Sequence, residues 1–197
     1  MQKVPKLEPQ WVSSEAFKEK LITLMFKEIG MKKESVQVYV QGLDDYSHLM
    51  KALISKNYFQ PSRQTNIMAH NIFLGLELYQ LADVLTDVYK KDPELGCLMT
   101  ALAWVESGFH NRRGSSGERG YYQVLPSTIK DAYKKNYQDA LFLMEADPKF
   151  ATDFAIWYLG CLRKGCSLNT ALYHYNGHPS YPALVQYRLN HIRRLMK

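Results

Sequence analysis

An all-α fold is expected from three features of the 197-residue sequence. Apolar residues recur at helical spacing, start and stop signals bracket those runs, and no alternating strand pattern competes with them. An apolar share of 46% and a charged share of 22% are ordinary for a chain that buries a core, so disorder is the wrong default.

After a Pro-rich lead-in, Phe17, Leu21, Leu24 and Met25 line one face of a first helix. Tyr46, Leu49, Met50, Leu53 and Ile54 repeat the pattern in a second. Asn57 to Pro61 breaks it, and Ser62 can cap a region running toward Lys91, with Leu78, Leu81, Ala82, Leu85, Val88 and Tyr89 on its apolar face. Gly75 marks either a bend or a close contact in that region. Asp92-Pro93 restarts the chain, and Leu95, Leu98, Leu102 and Val105 form the inner stripe of a helix ending near Gly108. Glu106, one turn beyond Leu102, falls at the margin of that stripe.

From His110 to Gly120 the chain is polar, Gly/Ser-rich and carries two arginines, which reads as a surface loop and a candidate cleft wall, with room for a short hairpin. Asp147-Pro148 then supplies a cap and a first-turn proline for a helix with Phe150, Phe154, Trp157, Tyr158 and Cys161 on one face. Ser167 caps a short helix that turns Leu168, Ala171, Leu172 and Tyr175 inward. Asn176-Gly177 is a turn, and from Pro182 a last helix buries Val185, Leu189, Ile192 and Leu195. The front helices need partners for their apolar stripes and are expected to pack on the rest.

A formal charge of +6 favours loose association with polyanions. The basic residues form short clusters such as Lys32-Lys33 and Arg112-Arg113 and no long block, so nucleic acid is not the expected partner, and a carboxylated polymer fits at least as well. The first ten residues lack the apolar core of a secretory signal, and no window approaches a membrane span. The expected location is the periplasm or cell envelope for a trimmed form, and otherwise a virion or another export route. Cys97, Cys161 and Cys166 have no metal-ligand spacing; the last two permit a local bridge without demanding one.

Several chemistries fail by inspection: there is no Walker loop, no dinucleotide fingerprint, no His-Glu-x-x-His and no Cys-x-x-Cys. His174 and His178 are four apart, but the Asn176-Gly177 turn between them makes a poor metal clamp. The distinctive stretch is Ala101-Leu-Ala-Trp-Val-Glu106-Ser107-Gly108-Phe109, followed by Gly117-Glu118-Arg119-Gly120-Tyr121-Tyr122-Gln123-Val124-Leu125-Pro126-Ser127-Thr128. Ala171-Leu172-Tyr173-His174-Tyr175-Asn176-Gly177 comes later at a fitting distance. Together these resemble the catalytic core of the soluble-type lytic transglycosylases, a lysozyme-like family related in fold to goose-type lysozyme.

The likeness has departures. Tyr121-Tyr122 stand where Leu-Met is usual, Glu118 where Ala is common, Ala151 for Asn and Ala155 for Gly, and the Ala between Asn176 and Gly177 is missing. The resemblance covers roughly Leu78 to Lys197. It implies a lysozyme-like transglycosylase domain over residues 76–197, with residues 1–75 an N-terminal helical extension of unassigned role.

The resemblance further implies cleavage of peptidoglycan glycan strands between N-acetylmuramic acid and N-acetylglucosamine, with closure of a 1,6-anhydro ring, no metal and no organic cofactor. Glu106 would be acid and then base. Its own setting agrees, because a carboxylate is disfavoured at a helix C-terminus and beside an apolar stripe; a close Arg112 or Arg113 would act the other way. Tyr175 either orients Glu106, as the family's Tyr-Asn motif implies, or packs in the core. Gln123 and Asn176 are substrate-binding candidates, and Ser107 supports its helix or a substrate amide. Tyr121, Tyr122, Tyr173 and Tyr181 are either sugar-stacking surfaces or interior aromatics. Rival readings are hydrolysis as in goose-type lysozyme, which needs a second acidic group on the water side, and a noncatalytic glycan-binding or structural part of a secretion, conjugation or virion assembly.

Overall fold

The computed structural model describes residues 11–31 and 63–197, with side chains from residue 74 onward in the second stretch. The helix expected around Tyr46 to Ile54 and the cap expected at Ser62 lie outside the described residues.

The described chain is all-α. Eight α-helices run in the order α1 (Ser14–Glu28), α2 (Arg63–Lys91), α3 (Pro93–Ser107), α4 (Pro126–Tyr133), α5 (Tyr137–Ala146), α6 (Pro148–Leu162), α7 (Leu168–Asn176) and α8 (Tyr181–Leu195), with a single 3-10 turn between α4 and α5. Extended pairing among the described residues is confined to isolated bridges, Arg113 to Arg119 and Arg119 to Val124, in the polar loop after α3.

The starts follow the capping chemistry in the sequence. Ser13, Asp92, Asp147 and Ser167 each accept a backbone N–H of the helix they open, and Pro93 and Pro148 occupy first-turn positions where no donor is lost. The helix α2 runs without interruption through Gly75, so residue 75 lies inside a helix.

At the centre stands α3. From Gly96 to Trp104 every residue is buried, and α2 and α8 pack along it, so its single expected stripe is a helix enclosed almost all round. Around it, α2 also meets α1 and α6, and α5, α6, α7 and α8 follow one another in contact. Phe17, Leu21 and Met25 of α1 are fully buried, as expected for a front helix that packs on the body. The Phe17 and Tyr89 rings stack at 3.9 Å, Tyr89 donates its hydroxyl to Val12 O at 3.0 Å, and Val12 N–H donates to Met196 O at 3.0 Å. These contacts tie the start of the described chain to its end.

Two expected faces are corrected. On α6 the buried residues are Ala151, Thr152, Phe154, Ala155 and Leu159, whereas Trp157 is 51% exposed. The small side chains let α6 approach its neighbours closely, which turns the larger aromatic away from the core. On α8, Val185, Leu189 and Ile192 are buried as expected, while Leu195 is only partly covered.

Candidate active site

The last turn of α3 sets Glu106 in place. Asp92 caps the start of this helix, accepting from Leu95 N–H at 3.0 Å, and Gly108 ends it in the left-handed conformation at φ 62°, leaving Glu106 at the rim of the enclosed helix. Its carboxyl is partly buried. Burial pushes its pKa up to about 7; the Tyr181 hydroxyl and the Asn176 side chain, both hydrogen-bonded to it, pull down, and the nearby Glu118 carboxylate pushes up. Arg112 reaches only the backbone oxygen of Glu106, at 3.4 Å, and does not neutralise the carboxyl.

Across from Glu106 the polar loop folds back on itself. Arg119 and Val124 exchange backbone hydrogen bonds at 2.9 and 3.2 Å, and Gly120 N–H donates to Arg112 O at 3.0 Å. Glu145 of α5 clamps the loop from behind, accepting from Arg113 at 2.6 and 3.0 Å and from Arg119 at 2.5 Å. Hydrogen bonds from Arg113 hold the Glu145 carboxyl below its ordinary range. Gln123 sits at φ 46°, unfavourable for a residue with a side chain, and its amide Nε2 donates to Arg112 O at 2.9 Å and Gly120 O at 2.7 Å. Two carbonyls on Nε2 fix the amide so that Oε1 points the other way, as an acceptor.

The third wall is the end of α7. Glu106, Arg112, Glu118, Gln123, Tyr175 and Asn176 all line one open cleft of about 460 Å³. Its composition suits a polar polymer: one carboxyl held near neutrality, a second carboxylate, an exposed guanidinium, and amide groups able to bond hydroxyl and acetamido substituents. Among the described residues no group of three or more His, Cys, Asp or Glu could hold a metal, and no helix is long and apolar enough to cross a membrane.

Residues 87–181 match the transglycosylase SLT domain model. The matched SLT segment is just under half the chain and runs from the end of α2 to the first residue of α8, so it encloses the whole cleft. It supports membership of the lytic transglycosylase and lysozyme-like superfamily, and with it a glycan-cleaving activity on peptidoglycan strands in general terms. No curated protein and no solved structure matches the chain.

Of the residues singled out in the sequence, Glu106, Gln123, Tyr175 and Asn176 come together in the cleft. Tyr175 is not bonded to Glu106: its hydroxyl donates to Tyr122 O at 3.0 Å, and the hydroxyl on Glu106 is that of Tyr181. Tyr121 and Tyr122 are 1% and 0% exposed, so neither ring offers a stacking face. Tyr121 donates its hydroxyl to Glu77 O at 3.3 Å and Tyr122 pairs with the Thr152 hydroxyl at 3.1 Å, which makes both of them core residues that hold the loop to α2 and α6. Tyr181 is likewise interior, its ring parallel to that of Tyr175 at 6.3 Å. Ser107 is buried and donates to Ala103 O at 3.0 Å, within its own helix and away from the cleft. Tyr173 is 41% exposed on α7 beside His174, outside the cleft lining.

Sequence reasoning did not place Glu118 in the cleft, and it named Tyr181 only as a stacking surface or an interior aromatic, not as the partner of Glu106. Glu118 had a visible signal, as an acid where the family pattern commonly has Ala. Tyr181 had a weaker one, as the first residue of the helix after the Asn176-Gly177 turn.

Proposed function

We propose that the protein is a peptidoglycan lytic transglycosylase that cleaves the β-1,4 bond between N-acetylmuramic acid and N-acetylglucosamine, with Glu106 as acid and then base. The observation that carries this reading is a partly buried carboxyl with a pKa of about 7, facing the cleft of an SLT segment. Near neutral pH such a group is populated in both protonation states, as a single residue that gives and then takes a proton requires.

In the first step the protonated Glu106 gives its proton to the glycosidic oxygen, the C1–O bond breaks, and the muramoyl acetamido oxygen bonds to C1. In the second, ionised Glu106 takes the proton of the C6 hydroxyl, whose oxygen displaces the acetamido oxygen at C1 and closes the 1,6-anhydro ring. Tyr181 and Asn176 hold the carboxylate between the two steps, and Gln123 offers Oε1 to a substrate N–H or O–H. Residues 76–197 would carry the chemistry, and among the described residues before them α1 packs on α2.

The test is mass spectrometry of muropeptides released from peptidoglycan without added metal. The expected products end in anhydro-muramic acid, one water lighter than a reducing end. Glu106→Gln keeps the shape but cannot move the proton, so turnover falls at least about 10²-fold, or about 2.7 kcal/mol in barrier. Full activity in a folded Glu106→Gln protein overturns the reading.

A further inference from the structure

The formal charge of +6 belongs to one end of the chain. After Asp153 there is no Asp or Glu, and the six Lys and Arg found there equal the net charge of the whole; the nineteen before it are matched by all nineteen acids. Four of the six, Arg188, Arg193, Arg194 and Lys197, lie in α8 or just after it. The helix dipole favours cations in a last turn, but it does not exclude acids from the turns before, and α8 has none.

Three of these cations share one hollow. Tyr187, Asn190, Arg193, Arg194 and Lys197 line a depression of about 550 Å³ along α8. Arg193 is taken up by Glu94, to which its Nε and Nη2 donate at 2.9 and 2.7 Å, and its Nη1 donates to Asn190 Oδ1 at 3.4 Å. Arg194 spends only Nε, on Asn190 O at 3.3 Å. Among the described residues neither Arg194 nor Lys197 has a carboxylate partner. The hollow is held in place, because Val12 N–H donates to Met196 O at 3.0 Å and Lys20 Nζ donates to Leu195 O. It is also remote from the cleft. Glu94 in the first turn of α3 meets Arg193, whereas Glu106 in its last turn meets Tyr181, which sets the two sites about 18 Å apart along the helix.

The lining matches a peptide that carries carboxylates. Arg194 presents the terminal nitrogens of its guanidinium and Lys197 its ammonium, which are donors for a carboxylate. With Oδ1 of Asn190 turned to Arg193, its Nδ2 is a donor for a peptide carbonyl, and the Tyr187 ring, 62% exposed, offers an apolar face to side chains. A bare phosphate chain would use the cations and leave the amide and the ring without a role. We propose that this hollow is a second binding site for peptidoglycan, which takes the carboxylates of the peptide stems on Arg194 and Lys197, apart from the glycan strand in the cleft. This rests on the reading of peptidoglycan as the substrate. A second contact on the same insoluble polymer keeps the protein at the wall between cuts, because rebinding at either site is then intramolecular.

Binding is read apart from cleavage, by co-sedimentation of the Glu106→Gln protein with peptidoglycan freed of phosphate-bearing polymers. Adding Arg194→Gln and Lys197→Gln is expected to raise the apparent Kd at least about fivefold at about 50 mM salt, with a smaller effect at high salt. Adding Lys130→Gln and Lys135→Gln instead, an equal change of charge at exposed positions elsewhere, is expected to raise it about twofold or less. Converting the carboxyls of the wall to methylamides with a carbodiimide should weaken the parent protein by a similar factor, and on that wall the Arg194 and Lys197 substitutions should have no further effect. Equal losses from the two pairs of substitutions, or undiminished binding to the amidated wall, overturn the proposal. So does binding only to wall that keeps its phosphate polymers, or only to vesicles of anionic phospholipid. The amidation arm needs no change in α8, so the proposal can fail there even if the α8 variant does not fold. A failed sedimentation result leaves the Glu106 reading standing, whereas a wild type that releases no muropeptides overturns the peptidoglycan reading and this site with it.

Discussion

Tyr181, the first residue of α8, donates its hydroxyl to Oε1 of Glu106, in the last turn of α3. The bond joins two helices that pack along each other and fixes one carboxylate oxygen from behind the cleft. It also opposes burial. Desolvation favours the neutral carboxyl, whereas a donor aimed at the oxygen favours the anion, and Asn176 adds a second such donor. A pKa of about 7 is the balance of these effects.

Tyr181→Phe removes one side of that balance. The Glu106 pKa should rise further, so the descending alkaline limb of the pH–rate profile moves up by about 0.5–1 unit, while the maximal rate falls about tenfold for lack of orientation. Tyr175→Phe should leave the limb in place, because the Tyr175 hydroxyl is spent on Tyr122 O, and should cost less than Glu106→Gln. A limb that follows Tyr175 and ignores Tyr181 would refute the assignment.

In the wild type the acid form of Glu106 starts the reaction. Turnover on peptidoglycan is therefore expected to fall as pH rises through about 7, about one unit of log rate per pH unit beyond it. Initial rates between pH 5 and 9 at constant ionic strength check this. A flat profile across that range would leave no place for a single proton donor of this acidity.

The same carboxyl burdens the fold. Its pKa rises from 4.5 to about 7 on folding, so the native state holds this proton more tightly than the unfolded chain. The stability it contributes is fully present below 4.5 and is lost as pH climbs through about 7. Glu106→Gln, which never ionises, should match the wild type near pH 4 and exceed it by about 1–3 kcal/mol at pH 8. Urea unfolding at both values measures the difference, and a variant less stable than wild type at pH 8 would contradict it.

What was legible in the sequence was what is local. Asp92-Pro93, Asp147-Pro148 and Ser167 announce helix starts because a cap bonds its own first turn, and all three open helices here. Val185, Leu189 and Ile192 reveal the inner face of α8 because burial repeats with the helix. The segment from Pro126 to Ala146 was not assigned, since α4 and α5 are short and bury only Ile129, Ala140 and Met144. Pairings across space were also hidden. Nothing in the spacing distinguishes Tyr175 from Tyr181 as the partner of Glu106, or shows that Tyr121 and Tyr122 turn into the core. Those outcomes depend on how α3, α7 and α8 meet.

Gly120 offers a sharper test of the cleft wall. Its φ is 71°, in the left-handed region that costs a residue with a Cβ about 1–2 kcal/mol. A Cβ there would also lie 2.3 Å from Met144 O in the last turn of α5, a backbone atom that cannot swing aside. Gly120 O in turn accepts from Gln123 Nε2, so any shift at this point moves the cleft amide. Gly120→Ala should therefore destabilise the protein by about 2–4 kcal/mol and depress glycan cleavage even where the protein remains folded. The contrast is Gly160 in α6, which has open space around its Cβ position and helical geometry; Gly160→Ala should stabilise by about 0.5–1 kcal/mol. Urea unfolding of the two variants checks both signs, and a Gly120→Ala protein as stable and active as wild type would mean that the loop does not close against α5 as described.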